Sequence, residues 1–347
     1  MRLLITGGSG FIGVNAVEHF SVEAESILNL DRNPPEPPGH RVFWQRADLL
    51  DAPNLTEKVF AFRPTHVLHL AARSDCDEST TVADGYRDNT DGTANFLRSL
   101  VACPSVQRAI ITSSQYVCGP GYQPKSEDDY SPATIYGASK VITEKLTRSA
   151  LLPFSWTLIR PTNVWGPWHA RYEREFWRVA HRGWYFHPGG PPVLRSYAFV
   201  GNVLNQIQRI FALPGREVSG KTFYVGDATD DIWNWASGFC RALHGPLPPR
   251  IPRPALRLLG RVGDRIARMT GRRFYIDSTR VDSMTTDYPI DMRETFHVLG
   301  TNAFTLEQGI LQTAAWLAHT RGWKLPKKTL SAIMSGGIPT ARSLSST

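Results

Sequence analysis

Two residues with complementary acid–base chemistry, Tyr136 and Lys140, lie four positions apart in the segment Tyr136-Gly137-Ala138-Ser139-Lys140. A helical pattern continues from this segment through Thr147, and residues four apart lie on the same face of a helix. A lysine ammonium beside a phenol stabilises the phenolate and lowers its pKa, so the pair could remove a proton from a hydroxyl group while hydride leaves the carbon. The same spacing is also compatible with an ordinary helix start and a half-buried tyrosine.

A glycine-rich turn near the N-terminus is the second chemical feature. Gly7, Gly10 and Gly13 are spaced along residues 6–13, between a short apolar strand and a helical run. Glycines let backbone amides approach a pyrophosphate without interference from a Cβ atom, and the helix N-terminus adds a favourable dipole. Asp31 follows 18 residues after Gly13, at the end of a second strand, which is the context that a dinucleotide site requires.

Asp31 also bears on which dinucleotide is bound. At the end of the second strand its carboxylate would accept hydrogen bonds from the adenine ribose hydroxyls and repel a 2′-phosphate, which favours NAD. The neighbouring Arg32 could accommodate that phosphate, so NADP is the alternative. Asp48, after the third strand, is expected either to contact the adenine or to cap the next helix.

These residues need a scaffold, and the first half of the chain alternates strand-like and helix-like segments. The predicted strands cover residues 3–5, 26–30, 42–44, 67–70, 108–112 and 156–159, with a later strand at 222–225. Strands separated by helices predict an α/β protein with a Rossmann-type doubly wound parallel sheet.

The domain organisation follows from where this alternation ends. After residue 167 it loosens, and proline, glycine and tryptophan become frequent up to residue 192. We predict a dinucleotide-binding domain over residues 1–167, to which later strands return, and a smaller, interleaved C-terminal lobe over 168–325 that covers the substrate. Residues 326–347 are predicted to be a mobile tail, because their composition is small and polar.

Composition limits the class of protein. The chain has 347 residues, of which 41% are hydrophobic and 20% charged, as is typical of a soluble globular protein. We expect a cytoplasmic location, because no apolar run is long enough to span a bilayer and no signal-peptide pattern is present. The four cysteines (Cys76, Cys103, Cys118 and Cys240) lack metal-ligand or redox spacing, so no metal site is predicted.

The formal net charge of +8 comes in part from an arginine-rich stretch over residues 250–273. Its arginines are Arg250, Arg253, Arg257, Arg261, Arg265, Arg268, Arg272 and Arg273. We interpret the stretch as a helix packed on the second lobe through an apolar stripe, with a solvated basic face. The stripe consists of Leu256, Leu259, Val262, Ile266 and Met269. Peripheral contact with anionic lipid is the alternative, whereas no aromatic–basic interleaving supports nucleic-acid binding.

Several motifs together give the chain a specific family resemblance. They are the glycine turn, Asp31, His69-Leu70-Ala71-Ala72, residues 89–95, residues 113–119, Tyr136 with Lys140, and residues 160–167. The chain resembles the extended short-chain dehydrogenase/reductase family over about residues 1–320, in particular its nucleotide-sugar epimerase and dehydratase branch. That resemblance implies an NAD(P)-dependent enzyme of polysaccharide biosynthesis that acts on a nucleotide-diphosphate sugar, and a homodimer.

The resemblance also assigns roles to individual residues. It implies that Ser114, 22 residues before Tyr136, hydrogen-bonds the reacting oxygen, and that Lys140 also holds the nicotinamide ribose. Three residues are expected to bind the substrate: Asn163, Arg195 and Arg280. The expected cofactor contacts are Gly7, Gly10, Phe11, Ile12, Gly13, Asp31, Arg32, Asp48, Leu49, Leu70, Ala71, Ala72, Asn89, Tyr136 and Lys140.

One departure from the family pattern narrows the reaction. The 4,6-dehydratase members carry an acid pair where this chain has Gln115 and Tyr116, and a glutamine cannot act as an acid or base. We therefore predict a C4 epimerase, which oxidises the sugar transiently to a 4-keto form and returns the hydride. The alternatives are a 4-keto-sugar reductase, a 4,6-dehydratase that uses a remote acid such as Asp75 or Asp77, a dehydrogenase of a bulkier alcohol such as a steroid, and a non-catalytic cofactor-binding protein.

Overall fold

The computed structural model describes residues 1–271 and 275–336, and these divide into two compact units. Within the described residues, the first unit comprises Met1–Val164, Val200–Asp227 and Asp291–Ala303. The second comprises the described residues of Trp165–Phe199, Ala228–Ile290 and Phe304–Thr347. Each unit is therefore built from three separate stretches of the chain.

The strands are labelled in chain order. They are β1 (Arg2–Thr6), β2 (Ser26–Asp31), β3 (Trp44–Arg46), β4 (His66–His69), β5 (Arg108–Thr112), β6 (Ser155–Pro161), β7 (Asn163–Trp165), β8 (His187–Pro188), β9 (Leu194–Arg195), β10 (Tyr197–Phe199), β11 (Thr222–Val225), β12 (Asp230–Asp231) and β13 (Arg250–Ile251).

The helices are labelled in the same way. They are α1 (Phe11–Phe20), α2 (Ala52–Phe62), α3 (Val82–Gly85), α4 (Asp91–Val101), α5 (Ile135–Ser149), α6 (Ala170–Tyr172), α7 (Arg178–His181), α8 (Val200–Ala212), α9 (Gly215–Val218), α10 (Ile232–Leu243), α11 (Arg253–Thr270), α12 (Ser278–Thr285), α13 (Arg293–Leu299), α14 (Leu306–Arg321) and α15 (Lys327–Ser335). Short 3-10 helices cover Pro38–Phe43, Arg87–Asn89 and Gln115–Val117, and a π-helical turn covers Glu173–Trp177.

The first unit is organised around a seven-stranded sheet in the order β3-β2-β1-β4-β5-β6-β11. Every neighbouring pair in this sheet is parallel. The chain reverses its direction of winding between β1 and β4, and in such sheets ligands bind at the carboxyl ends of the strands beside this switch point. The predicted Rossmann-type parallel sheet is confirmed.

Apolar runs explain why these segments form central strands. Leu3, Leu4 and Ile5 of β1 are fully buried, as expected for a parallel strand that is covered on both faces. The boundaries predicted for β5 and β11 agree with the structure. The strand predicted at residues 42–44 is wrong, because the 3-10 helix runs through Phe43 and leaves Val42 exposed, so that β3 begins at Trp44.

The second unit has an aromatic core. Trp165 and Trp177 are fully buried there. Trp235 stacks between Tyr197 and Phe176, with ring centroids 4.6 Å from each. These large side chains allow a unit with only two-residue and three-residue strands to exclude water, since aromatic rings bury more area than any other side chains.

The arginine-rich stretch forms the 18-residue helix α11, but it does not pack as predicted. Of the predicted apolar stripe only Leu256 is buried, whereas Leu259, Val262, Ile266 and Met269 are 43%, 46%, 36% and 78% exposed. The helix packs instead through Leu256, Gly260 and Gly263. Arg272 and Arg273 lie outside the described residues.

The C-terminal segment also differs from its prediction as a mobile tail. Residues 327–335 form α15, in which Thr329 and Ile333 are buried. The Thr329 hydroxyl donates to the Ala242 carbonyl at the end of α10, with 3.0 Å between the oxygens. The predicted tail beyond Gly336 lies outside the described residues. Among the helices of the described chain, none is both long and apolar enough to cross a membrane.

Candidate active site

The glycine turn connects β1 to α1 at the carboxyl edge of the sheet. Gly7 has a φ of +72°, and a Cβ atom there would lie 2.6 Å from the Ala71 amide nitrogen. A Cβ atom on Gly13 would collide with the Gly7 carbonyl oxygen. Both positions therefore require glycine for close packing of the backbone. Gly10 is the N-cap of α1, which has no side-chain cap and no acidic residue in its first turn. An anion such as a pyrophosphate suits this helix end, because a bound phosphate would complement its dipole.

Asp31 lies beside this turn, at the end of β2. One carboxylate oxygen accepts a hydrogen bond from the Ser9 amide at 3.1 Å, and the other accepts from the Asn33 amide at 3.0 Å. Arg32 is turned toward Asp88, with 2.6 Å between the Arg32 Nη2 and Asp88 Oδ2 atoms. The guanidinium that could accommodate a 2′-phosphate is thus engaged by a carboxylate, which favours NAD over NADP.

The remaining expected cofactor contacts lie around the same edge of the sheet. Asp48 accepts from the Leu50 amide at 2.9 Å. It does not cap the next helix, because the N-cap of α2 is Asp51. Three residues, Leu70, Ala71 and Ala72, follow β4 and are half-buried, whereas Leu49 is buried. Phe11 and Ile12 are half-buried at the start of α1.

Asn89, a predicted cofactor contact, has its side chain engaged within the protein. It is fully buried, and its amide nitrogen donates to the Arg73 carbonyl at 3.0 Å and to the Ser139 hydroxyl at 2.8 Å. Its amide oxygen accepts from the Arg73 backbone nitrogen at 2.8 Å. Both amide protons are therefore used within the protein. Asn89 fixes the loop after β4 against α5, and so positions the helix that carries Tyr136 and Lys140.

The candidate catalytic residues are all buried in the first unit. Tyr136 is 9%, Ser114 6% and Lys140 2% exposed. Tyr136 and Lys140 lie one turn apart on α5, and Ser114 follows β5 as the N-cap of the 3-10 helix. The Ser114 side chain lies near enough to the Tyr136 phenol to affect its pKa. The structure thus brings the hydroxyl and the phenol together, as the resemblance implied.

Burial dominates the acid–base properties of this cluster. It raises the pKa of the Tyr136 phenol above its usual range, although the nearby Ser114 side chain acts in the opposite direction. The pKa of Lys140 is lowered to about 8 by burial, against the raising effect of Glu144. The predicted lowering of the tyrosine pKa by the lysine is therefore wrong for the protein without ligand, because the cost of burying a phenolate prevails. Burial and the charge of Lys140 also lower the pKa of His69 to about 3, so that this histidine is neutral.

A buried ion pair supports α5 behind the candidate catalytic residues. Glu144 is fully buried, and its carboxylate accepts from Arg160 of β6 at 2.8 Å and 2.9 Å. It also accepts from the Ser113 hydroxyl at 2.5 Å and from the Tyr130 hydroxyl at 3.0 Å. Sequence reasoning missed this network. The available signal was that Glu144 lies four residues after Lys140, on the same face of the helix.

The substrate residues predicted from the resemblance fall in both units. Asn163, in the first unit, accepts from the Gln115 side-chain amide at 3.3 Å. Arg280, in the second unit, is held by the Glu175 carboxylate at 3.5 Å and lies over the Tyr275 ring. Arg195, also in the second unit, is 9% exposed and uses its Nε to donate to the Thr286 carbonyl at 3.2 Å.

The two arginines therefore differ in what they offer an anion. The guanidinium of Arg280 is occupied by protein groups. The two terminal nitrogens of Arg195 have no partner among the described residues. Arg195 therefore suits the recognition of a phosphate group better than Arg280, because both of its terminal nitrogens can form a fork.

The second unit also contains a groove of about 370 Å³ at the start of α11. It is lined by Gly189, Gly190, Arg250, Pro252, Arg253 and Pro254. In the described part of the chain, no group of three or more histidine, cysteine or acidic side chains could hold a metal ion.

Comparison with known proteins identifies the family. The sequence profile of the NAD dependent epimerase/dehydratase family matches residues 3–184, which is more than half of the chain. The chain belongs to this family, and its glycine turn, Asp31 and engaged Arg32 fit the NAD on which the family depends. The predicted enzyme class and the predicted cofactor are confirmed.

Individual relatives cover most of the chain at low identity. An N-acetyl-alpha-D-glucosaminyl-diphospho-ditrans,octacis-undecaprenol 4-epimerase of Escherichia coli O157:H7 is 24% identical over 319 residues, which is 90% of this chain and 94% of that protein. A 3-beta-hydroxysteroid dehydrogenase of Mycolicibacterium neoaurum is 25% identical over 245 residues, and the match spans 65% of each protein. The solved structure of MoeE5 in complex with UDP-glucuronic acid and NAD has a TM-score of 0.69, 22% identity, and coverage of 92% of this chain and 99% of that chain.

Proposed function

We propose that this protein is an NAD-dependent C4 epimerase of sugars that carry a diphosphate. The proposal rests on one observation: the fold brings the Ser114 side chain beside Tyr136, and Lys140 lies one helical turn further along α5. The comparison with relatives supports the class, since the Escherichia coli relative is a 4-epimerase and MoeE5 was solved with a UDP-sugar and NAD. A nucleotide diphosphate is the proposed carrier of the sugar.

Each residue has a defined task in this reaction. NAD, held by the glycine turn and Asp31, would supply the hydride acceptor and donor for the sugar C4. Tyr136 removes the proton of the C4 hydroxyl through its phenolate oxygen and later gives it back, and Ser114 donates a hydrogen bond to the same substrate oxygen. The ammonium of Lys140 stabilises the phenolate electrostatically, which offsets the burial that otherwise keeps Tyr136 protonated.

The residues beside the candidate site favour epimerisation over dehydration. Elimination of water needs an acid and a base at the next carbon atoms, and Gln115 has neither function. Gln115 is 1% exposed, and its amide nitrogen donates to the Asn163 side chain. The adjacent Tyr116 lies edge-on to Tyr136, with ring centroids 6.0 Å apart. A site with Tyr136 as its proton-transfer group, and with a glutamine where the dehydratases carry an acid, suits reversible oxidation at C4.

The reaction is tested by incubating the purified protein with UDP-, GDP- and dTDP-sugars and with a polyprenyl-diphosphate sugar, and by following C4 stereochemistry with NMR. We expect interconversion of the C4 epimers of at least one substrate without added NADH or NADPH. No interconversion of these sugars, together with stoichiometric oxidation of added NADH or NADPH by a nucleotide 4-keto sugar, would instead identify a 4-keto-sugar reductase. Turnover of a 3β-hydroxysteroid with no turnover of any sugar diphosphate would contradict the proposed substrate class.

The role of Tyr136 is tested with Tyr136→Phe, which removes only the phenol oxygen. We expect turnover to fall by about 10²–10⁴-fold, with NAD affinity close to that of the wild type. Tyr122→Phe is the matched control, because Tyr122 is exposed and bonds to Asp129 at the surface. Wild-type turnover in the Tyr136 variant would refute the assignment of this residue.

A further inference from the structure

Helix α11 presents three different faces. At about 100° per residue, its side chains separate into a buried face, an exposed apolar face and a cationic face. The buried face contains Leu256, Gly260 and Gly263. The apolar face contains Leu258, Leu259, Val262, Ile266 and Met269, and the cationic face contains Arg257, Arg261, Arg265 and Arg268. A helix that only packed on its own unit would have one apolar face, and α11 has two.

Helix α11 contacts its own unit through the buried face. Leu256 is fully buried in a cluster with Ile276 and Val281. Gly260 allows the backbone of α11 to approach α12, since a Cβ atom there would lie 3.2 Å from the Ser278 Cα atom. The apolar face is therefore not needed for this contact.

The apolar face is exposed along the whole helix. Leu258 is 62% exposed and Met269, three turns further on, is 78% exposed, with Val262 at 46% between them. Single exposed apolar residues are ordinary on protein surfaces, but five on one side of one helix form a continuous strip. Such a strip is costly in water and requires an apolar partner.

The cationic face adjoins this strip. Within the described residues, no ion pair forms to Arg257, Arg261 or Arg265. The single acidic residue of the helix, Asp264, accepts a hydrogen bond from the Ser278 amide at 3.1 Å. The charges of Arg257, Arg261 and Arg265 are thus not paired with a carboxylate in the described part of the chain.

We propose that α11 docks the protein on the surface of a membrane that contains anionic lipids. Leu258, Val262 and Met269 would enter the boundary between headgroups and acyl chains. The arginines would bind lipid phosphates, with their aliphatic stems along the apolar boundary. A nucleic acid would use the cations but leave the apolar strip in water, whereas a protein partner would need acidic residues and an apolar surface together. An anionic bilayer offers both chemistries over the full length of the helix. The proposal does not depend on which reaction the enzyme catalyses.

The docking surface is tested by co-sedimentation of the full-length protein with vesicles of phosphatidylcholine alone and of phosphatidylcholine mixed with phosphatidylglycerol. We expect the protein to sediment with the mixed vesicles, to stay in solution with phosphatidylcholine alone, and to dissociate as salt is raised. The double variant Arg261→Glu with Arg265→Glu should lower the partition coefficient by about tenfold or more, because each interfacial arginine contributes about 1 kcal/mol. The double variant Leu258→Ser with Met269→Ser should lower it by about tenfold or more as well, because it removes apolar area from the same interface.

Matched substitutions elsewhere on the surface control for charge and hydrophobicity. Arg216→Glu removes an arginine that is 82% exposed, and Leu151→Ser removes a leucine that is 92% exposed. Both should bind vesicles as the wild type does, and circular dichroism should show that all four variants are folded. Equal binding by all variants, or binding independent of anionic lipid, would overturn the proposal. A dimer that dissociates in the Leu258 and Met269 variant would assign the apolar face to a second copy of the chain. Duplex DNA binding that is lost only in the arginine variant would assign the arginines to polyanions. Either result would also overturn the membrane proposal.

Discussion

At the scale of single residues, burial and neighbouring charges together set the pKa of each candidate catalytic residue. Tyr136 and Lys140 are both buried, and burial disfavours the charged form of each side chain. The pKa of the phenol is therefore raised, and that of the ammonium is lowered to about 8. A proton-transfer group works best when its pKa lies near the working pH. We infer that the charge of Lys140 is needed for catalysis and costs stability at neutral pH.

This balance predicts opposite effects of Lys140→Met on activity and stability. The pKa of Lys140 is about 8 in the folded protein and ordinarily 10.5, so between these values the unfolded chain binds more protons and stability rises with pH. Below pH 8 both states are protonated and the cost of burial is complete. We expect the variant to be inactive, to have a Tm a few degrees above that of the wild type at pH 7, and to lose this advantage as the pH approaches 10.5.

The Lys140 prediction is checked by thermal unfolding of cofactor-free wild type and variant at pH 7 and pH 10. Lys145→Met, on the same helix but exposed, is the control and should shift the Tm equally at both values. A lower Tm of the Lys140 variant at pH 7 would show that the lysine stabilises the fold through contacts that outweigh its burial.

At the scale of elements, the turn between β1 and α1 depends on glycine for space. Gly13→Ala would place a methyl group against the Gly7 carbonyl, and this backbone contact has no flexible side chain to absorb it. We expect NAD affinity to fall by more than about tenfold, since the turn must open and the amides lose their alignment. Isothermal titration measures this effect. Gly39→Ala is the control, because nothing lies within 4 Å of its added Cβ atom.

The packing of α5 on the sheet depends on the pair between Glu144 and Arg160. Glu144→Gln leaves the Arg160 charge buried without its counter-ion, which should lower the free energy of unfolding by about 3–5 kcal/mol. Loss of the Glu144 charge should also lower the pKa of Lys140 further, so that the alkaline limb of the activity profile moves to lower pH.

Urea unfolding and a pH profile of turnover test the role of Glu144 separately. Glu217→Gln is the matched control, because Glu217 is 43% exposed and an exposed pair contributes about 0–1 kcal/mol. A variant with wild-type stability would contradict the structural role of the pair. An unchanged alkaline limb would show that Glu144 does not tune Lys140.

At the scale of the whole molecule, the predicted cofactor-binding, catalytic and substrate-binding residues are distributed over the two units. The first unit carries the glycine turn, Asp31 and the three candidate catalytic residues, whereas the second carries Arg195 and the helix α11. The family profile ends at residue 184, so most of the second unit lies beyond it. Substrate choice is the property we expect the second unit to determine.

Arg195 gives this expectation a test. Its terminal nitrogens have no partner among the described residues, whereas those of Arg280 are bonded to Glu175. We expect Arg195→Met to raise the KM for a sugar diphosphate by about 10–100-fold with a smaller effect on kcat, because a charge-assisted hydrogen bond contributes about 1.5–3 kcal/mol. Arg280→Met should lower the Tm and leave KM nearly unchanged. The reverse pattern, measured by steady-state kinetics, would make Arg280 the phosphate ligand.

The sequence predicted the features that depend on local pattern. The alternation of apolar strands and helices gave the parallel sheet, and the glycine spacing gave the turn with Asp31 beside it. The four-residue spacing of Tyr136 and Lys140 predicted that the two residues lie on the same face of one helix. These predictions hold because each depends on residues that are close in sequence, and because a parallel sheet brings the carboxyl ends of its strands to one edge.

Only the tertiary structure decided how each side chain is used. The sequence could not reveal that Asp88 engages Arg32, that Asn89 clamps α5, or that Glu144 pairs with Arg160, because these partners are 16 to 56 residues apart. In α11 the helical period showed which residues share a face, but not which face is covered. Coverage depends on the elements that fold against a helix, and here α12 covers the glycine side and leaves the leucines in water.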